Sequence, residues 1–162
     1  MTLPHSHEES VREQPEPLVR TPMERRAAVS PKRTAKLEGL RFLVIEDESL
    51  IALDLVDRLK AAGAEVAPPV GTEQQALQVI QGGKFDCALL DANLHGRPVA
   101  EIAAALTRSK IPFVFITGYG RAALPDSFKQ APVLSKPVTD EQLLAAITSI
   151  VSRPRKVLPI KW

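Results

Sequence analysis

Between residues 41 and 151 the sequence alternates short apolar runs with helical patterns, five times over. Most of the apolar runs lack polar alternation, which is typical of strands that are buried on both faces of a parallel sheet. The predicted strands are 41–45, 64–67, 85–90, 112–116 and 133–134. Because five units are too few for an eight-stranded barrel, the pattern predicts an open α/β fold with a doubly wound parallel sheet.

Two capping boxes and one irregular segment refine the predicted helices. Thr72 and Thr139 are each followed three residues later by a glutamine, so a helix is expected to begin just after each threonine. Segment 118–131 should not form a long helix, because it contains Gly118, Gly120 and Pro125. The fourth helix is therefore expected to be short or irregular.

Composition indicates one folded domain between two tails. Residues 1–38 hold five prolines and many charges, so we expect a disordered N-terminal tail, a domain at 39–151 and a basic tail at 152–162. The net charge of +2 is too small to indicate nucleic-acid binding. Cys87 is the one cysteine and no apolar run is long enough to span a membrane, which favours a cytoplasmic protein without membrane insertion.

Four of the five predicted strands end at residues that can do chemistry: Glu46 with Asp47, then Asp91, Thr117 and Lys136. Ligands of open α/β sheets bind at the carboxyl ends of the strands, where this topology would gather these side chains. Three adjacent carboxylates need a cation, and an all-oxygen set suits Mg²⁺. A carboxylate nucleophile, a metal, a lysine and a hydroxyl are what phosphoryl transfer to an aspartate requires.

At these positions the sequence resembles the receiver domains of bacterial two-component response regulators, which are CheY-like. The matching motifs are Val-Ile-Glu-Asp-Glu at 44–48, Leu-Leu-Asp-Ala-Asn-Leu at 89–94, Ile-Thr-Gly at 116–118 and Ser-Lys-Pro at 135–137. Each motif alone is weak, but all four occur in order at strand ends. The resemblance, which spans about residues 40–151, implies a flavodoxin-like sheet with strand order 2-1-3-4-5.

The resemblance also implies a role for each site residue. Asp91 would be the phosphoacceptor, Thr117 would turn to bond the phosphoryl group, and Lys136 would pair with Asp91 and then with the phosphate. The Lys136-Pro137 bond is expected to be cis. The implied direct Mg²⁺ ligands are Asp47, Asp91 and the backbone carbonyl of Asn93, and Glu46 would bind the ion directly or through a water.

The sequence departs from the common receiver pattern in its switch residues. Val133 stands where receivers usually carry a switch tyrosine or phenylalanine. Segment 115–120, Phe-Ile-Thr-Gly-Tyr-Gly, instead resembles the "FATGUY" subgroup of single-domain receivers, with Ile116 in place of alanine. We therefore predict that Tyr119 supplies the switch aromatic together with Thr117.

The implied function is that of a single-domain response regulator in a phosphorelay. A histidine kinase or phosphotransfer protein would phosphorylate Asp91, and the chain would signal by contact with another protein or act as a phosphate sink. The resemblance leaves homodimer formation open. It would not be an enzyme, beyond catalysing its own phosphorylation and dephosphorylation. One alternative is a Mg²⁺-dependent aspartyl-phosphate phosphatase, but Asn93 stands where such enzymes have an acid/base aspartate. A phosphorylation-independent protein-binding receiver is the other alternative.

Overall fold

The computed structural model describes residues 36–151, and its centre is a five-stranded parallel sheet. The strands of the sheet are β1 (Arg41–Ile45), β2 (Glu65–Val66), β3 (Cys87–Asp91), β6 (Phe113–Thr117) and β7 (Val133–Ser135). They lie side by side in the order β2-β1-β3-β6-β7, which is the predicted 2-1-3-4-5 order when only these five strands are numbered. The helices are α1 (Ser49–Ala61), α2 (Glu73–Gly82), α3 (Ala100–Arg108) and α4 (Asp140–Val151). The predicted flavodoxin-like α/β fold is confirmed.

Helices cover the sheet on both faces, because alternate residues of each strand point to opposite sides. One buried cluster joins Leu43, Leu90 and Phe115 to α2 and α3. The other joins the intervening strand residues to α1 and α4, and includes Cys87. Leu37 is buried in this second cluster, although the sequence pattern placed it at the end of the N-terminal tail.

Both predicted capping boxes start helices. Thr139 and Gln142 exchange reciprocal bonds of 3.2 and 3.0 Å before α4. Before α2 the Thr72 hydroxyl accepts a hydrogen bond from the Gln75 backbone N–H at 3.3 Å. The Gln75 side chain, however, accepts from the backbone N–H of Gly71 at 3.4 Å rather than from Thr72. The Gln75 side chain therefore binds the residue before the N-cap, where a full capping box would bind the N-cap itself.

The segment between β6 and β7 contains two short 3-10 turns in place of a fourth long helix, as predicted. They span Gly120–Ala123 and Asp126–Phe128. The Phe128 ring packs edge-on against Phe113 and Phe115, with ring centroids 6.0 and 6.2 Å apart. Ring packing thus ties an irregular segment to the sheet.

A small hairpin follows β3 where the sequence pattern predicted a loop. Strands β4 (Asn93–Leu94) and β5 (Arg97–Pro98) pair antiparallel around a turn at His95 and Gly96. Both turn residues have positive φ, 52° and 76°, as the two central positions of a type I′ hairpin turn require. The hairpin therefore lies immediately after the carboxyl end of the central strand.

Among residues 36–151, no helix is long and apolar enough to cross a bilayer. The predictions of a disordered tail before residue 36 and a basic tail from 152 onward lie outside the described residues.

Candidate functional site

Lys136 joins the ends of three strands through its side chain. Its ammonium Nζ donates to Oε2 of Glu46 and to Oδ2 of Asp91, both at 2.8 Å. Glu46 follows β1, Asp91 ends β3, and Lys136 follows β7. These residues are distant in the chain, and parallel pairing of the strands brings them to one edge of the sheet.

Backbone groups hold both buried carboxylates from their other oxygens. Oε1 of Glu46 accepts from the Glu48 N–H at 3.2 Å, and Oδ1 of Asp91 accepts from the Asn93 N–H at 3.1 Å. With Lys136 on the remaining oxygens, each carboxylate has a set orientation. Such preorganisation is useful for a nucleophile or a metal ligand.

Asp47 is held at the mouth of the site by the hairpin. Its Oδ2 accepts a hydrogen bond from the backbone N–H of His95 at 3.0 Å, and Nδ1 of the same histidine lies 3.3 Å away. The His95 side chain is mostly exposed, and the sequence pattern did not predict its contact with Asp47. The hairpin is thereby part of the site.

The three carboxylates form a group that fits a divalent cation. One ligand oxygen each from Glu46, Asp47 and Asp91 lies within 4.8 Å of the others. One ammonium against three carboxylates leaves two negative charges unbalanced, and an all-oxygen set suits Mg²⁺. Beside the cluster, the buried Asn93 Oδ1 has no hydrogen-bond donor within the described part of the chain. This oxygen could accept a bond from a water that a metal carries.

Burial and charge shift two pKa values in the cluster. Desolvation raises the pKa of Glu46 above 4.5; the hydrogen bond from Lys136 opposes this rise, and the nearby Asp91 charge adds to it. Burial alone would lower the pKa of Lys136, but hydrogen bonds to Asp91 and Glu46 outweigh it and raise that pKa. The ammonium is thus strongly retained, while Glu46 carries its charge at a cost.

Comparison with known proteins places this architecture in a family. A model of the "Response regulator receiver domain" family matches residues 42–148. The chain belongs to this family. As a receiver domain it is a module of two-component signalling.

Two curated relatives and two solved structures illustrate the relationship. Transcriptional regulatory protein PdtaR of Mycobacterium tuberculosis is 28% identical over 125 residues, which cover 75% of this chain and 61% of that protein. Nodulation protein W of Bradyrhizobium diazoefficiens is 31% identical over 118 residues, covering 70% and 52%. This chain therefore spans about three fifths of the length of PdtaR and about half of the length of nodulation protein W.

Among solved structures, SdrG from Sphingomonas melonis Fr1 is 37% identical with a TM-score of 0.60, and the match covers 69% of this chain and 97% of that one. The "BeF3-activated conformation" of SdrG from Pseudomonas melonis Fr1 is 36% identical with a TM-score of 0.59, covering 67% and 93%.

In this receiver domain Thr117 is fully buried at the end of β6, next to the end of β3. Its hydroxyl accepts a hydrogen bond from the Tyr119 N–H at 3.1 Å, and its carbonyl accepts from the Lys136 N–H at 2.8 Å. The Lys136-Pro137 peptide is cis, as the resemblance implied. The backbone thus couples the hydroxyl residue to the lysine and to Tyr119.

Tyr119 itself points away from the core. Its side chain is 76% exposed. It lines a cleft of about 260 Å³ together with the hairpin residues Asn93, Gly96 and Pro98, and with Ala92 and Ala123. An exposed ring beside an open cleft has room to change position.

The sequence predicted every carboxylate of the acidic cluster but not the contacts that hold Asp47 in place. The sequence pattern did not predict that His95 and Gly71 would lie against Asp47. His95-Gly96 is a dipeptide suited to a hairpin turn, which was the available signal for the hairpin. No local sequence pattern indicates that Gly71 lies against Asp47, because that contact depends on how two separate strands pair.

Proposed function

We propose that this receiver accepts a phosphoryl group on Asp91 from a phosphohistidine of a histidine kinase or phosphotransfer protein, and signals by protein contact. The observation that carries the proposal is the shared Lys136 ammonium, 2.8 Å from both Asp91 and Glu46. A partly buried lysine on a buried aspartate beside two further carboxylates is costly for a structural core. It is the expected arrangement for a charge-controlled nucleophile.

In the proposed step, a carboxylate oxygen of Asp91 attacks phosphorus. The new P–O bond forms as the P–N bond to the donor imidazole breaks, and the departing nitrogen takes the electron pair and then a proton. Lys136 stays close enough to Asp91 to balance charge on the transferred group. A Mg²⁺ held by Glu46, Asp47, Asp91 and the Asn93 carbonyl would neutralise phosphoryl oxygens.

We further propose that Thr117 and Tyr119 report the modification. The Thr117 hydroxyl would turn toward the phosphoryl group and donate to it. That rotation gives up the bond it now accepts from the Tyr119 N–H, which frees the backbone that carries the exposed ring. The adjoining cleft offers a new position for the ring, which would change the surface that a partner or a second copy reads.

Incubation with acetyl phosphate and Mg²⁺, followed by intact-mass spectrometry, tests phosphoryl acceptance. We expect one hydroxylamine-labile phosphoryl group, lost in Asp91→Asn and retained in the control Asp126→Asn, whose carboxylate is fully exposed. Because Tyr119 is the only tyrosine, its ring NMR signals would follow the switch on addition of BeF₃⁻. An adduct that survives Asp91→Asn, or a wild-type chain that takes none, rejects the proposal.

The exposed apolar residues of α1 are the proposed docking surface for the phosphoryl donor. Leu50 is 83% exposed and Leu53 is 53% exposed, one helical turn apart near the start of α1. This helix begins three residues after Glu46, so a protein seated on it would lie beside the site. Large exposed apolar side chains are typical anchors for a partner helix.

Leu50→Ser with Leu53→Ser separates docking from chemistry. We expect transfer from a cognate phosphorylated donor protein to slow by about tenfold or more, since losing two anchors costs roughly 1.5–3 kcal/mol. Phosphorylation by acetyl phosphate should be unchanged, because that donor needs no protein surface. Equal loss with both donors would show damage to the site instead.

Signalling as a single-domain regulator is also part of the proposal. The match to SdrG covers 97% of that solved chain, so a chain that consists almost wholly of a receiver folds by itself. Size measurement of the protein with and without BeF₃⁻ distinguishes a homodimer from contact with another protein.

A further inference from the structure

We propose that Gly71 is a positioning residue for Asp47, and that its missing Cβ makes the acidic site selective for Mg²⁺ over larger cations. This inference rests on the proposed metal site. A Cβ built on Gly71 would lie 3.2 Å from the Asp47 Cα and 3.3 Å from the Glu46 carbonyl oxygen. The Asp47 Cβ would be 3.8 Å away. The segment after β2 therefore passes directly against the acidic pair.

The glycine is needed for its small size and not for its backbone conformation. Its φ lies outside the left-handed region, in contrast to Gly63 and Gly96. An alanine could adopt the same φ, so in the folded site the effect of the substitution is the added methyl contact. Since carbon atoms pack best at about 3.5–4.0 Å, something must give by a few tenths of an ångström.

Asp47 is the side that would move. Val70, the residue before Gly71, fixes this segment with two backbone hydrogen bonds. Its carbonyl accepts from the Glu46 N–H at 2.9 Å, and its N–H donates to the Val44 carbonyl at 3.0 Å. Gln75 holds the Gly71 N–H as well. Asp47 lies in the irregular stretch between β1 and α1. Among residues 36–151 its side chain accepts a hydrogen bond only from His95, which lies on the outer side of the site.

A displaced Asp47 affects cations unequally. Mg²⁺ demands near-ideal octahedral geometry at about 2.0–2.1 Å, whereas Ca²⁺ accepts irregular shells at about 2.3–2.6 Å. A shift of a few tenths of an ångström is as large as the difference between these two distance ranges. Gly71→Ala should therefore weaken Mg²⁺ binding much more than Ca²⁺ binding.

Calorimetric titration of the full chain with each ion alone tests this inference. We expect Gly71→Ala to lower the ratio of Mg²⁺ to Ca²⁺ affinity about tenfold, as substitutions that disturb ligand orientation commonly do. The matched control is Gly82→Ala, whose added Cβ meets nothing within 4 Å. It should leave the ratio unchanged. The urea midpoint of Gly71→Ala in EDTA should stay near wild type, because the bonds that pin the segment remain.

The outcomes separate this inference from the proposed function. If wild type binds both ions and the ratio is unchanged in Gly71→Ala, or both affinities fall in parallel, Gly71 does not act through Asp47 geometry. The same holds if Gly71→Ala lowers the ratio equally in an Asp47→Asn background. If wild type binds neither ion, the proposed metal site fails and this inference with it. A midpoint loss in EDTA without a ratio change would make Gly71 purely structural.

Discussion

Replacing Lys136 with methionine should expose how much repulsion the lysine offsets. The substitution keeps the length and the apolar stem but removes the ammonium that Glu46 and Asp91 share. The lysine side chain is 20% exposed, and those of Glu46 and Asp91 only 2% and 9%. In metal-free protein at pH 7, the variant must either keep two buried charges near each other or protonate one of them.

The cost of protonating one carboxylate gives the size of the expected loss in the free energy of unfolding. Neutralising a carboxyl group with an ordinary pKa of 4.5 at pH 7 costs about 3.4 kcal/mol, at 1.36 kcal/mol per pH unit. This agrees with the roughly 3–5 kcal/mol measured when one partner of a buried ion pair is removed. We therefore expect Lys136→Met to lower the free energy of unfolding by about 3 kcal/mol in EDTA.

Urea denaturation followed by circular dichroism provides the measurement. Saturating Mg²⁺ should recover part of the loss, because the cation replaces the missing positive charge, and the loss should shrink as the pH falls toward 4.5. Lys60→Met, on the exposed face of α1, is the matched control and should change stability by no more than about 0.5 kcal/mol. A Lys136→Met loss below about 1 kcal/mol at pH 7, or one insensitive to both Mg²⁺ and pH, would refute the reasoning.

Two further predictions follow from the shifted pKa values. Because the pKa of Glu46 is raised, the folded state holds its proton more tightly than the unfolded state, and the metal-free protein should lose stability as the pH rises above 4.5. In urea titrations between pH 4 and 8, the stability of Glu46→Gln should depend less on pH than that of wild type. Identical slopes for the two proteins would contradict this prediction. Burial raises the pKa of Cys87 from 9.0 to about 12, which lowers the thiolate fraction roughly a thousandfold. A thiol reagent at pH 8 should therefore label this single cysteine only at the rate of unfolding. Rapid labelling of the native protein would disprove the burial of Cys87.

The sheet could be predicted because its strands are buried on both faces. A strand such as β3 must be apolar throughout, so it stands out between turn residues without knowledge of its neighbours. Polar residues that close such strands gather at one edge whatever the loops do. Glu46, Asp91 and Lys136 could therefore be assigned to one site before any distance was known.

The parts that could not be predicted depend on pairings between separate segments. Leu37 looks like an isolated apolar residue in a charged tail, yet its N–H bonds to the Ala62 carbonyl at 3.1 Å and its side chain fills the core. The Gly71 contact requires Val70 to run beside β1 past the end of β2. Local propensity carries no information about such approaches, because they are set by tertiary packing.

A substitution of Lys136 would change stability and the proposed phosphoryl acceptance together. The ammonium that would balance the transferred phosphoryl group is the same one that offsets Glu46 and Asp91 in the resting fold. A substitution there lowers the folded fraction and removes charge from the reaction at once. Loss of phosphorylation in Lys136→Met is therefore informative only at a Mg²⁺ concentration and pH where its urea curve shows a fully folded protein, and any deficit that persists there belongs to the chemistry.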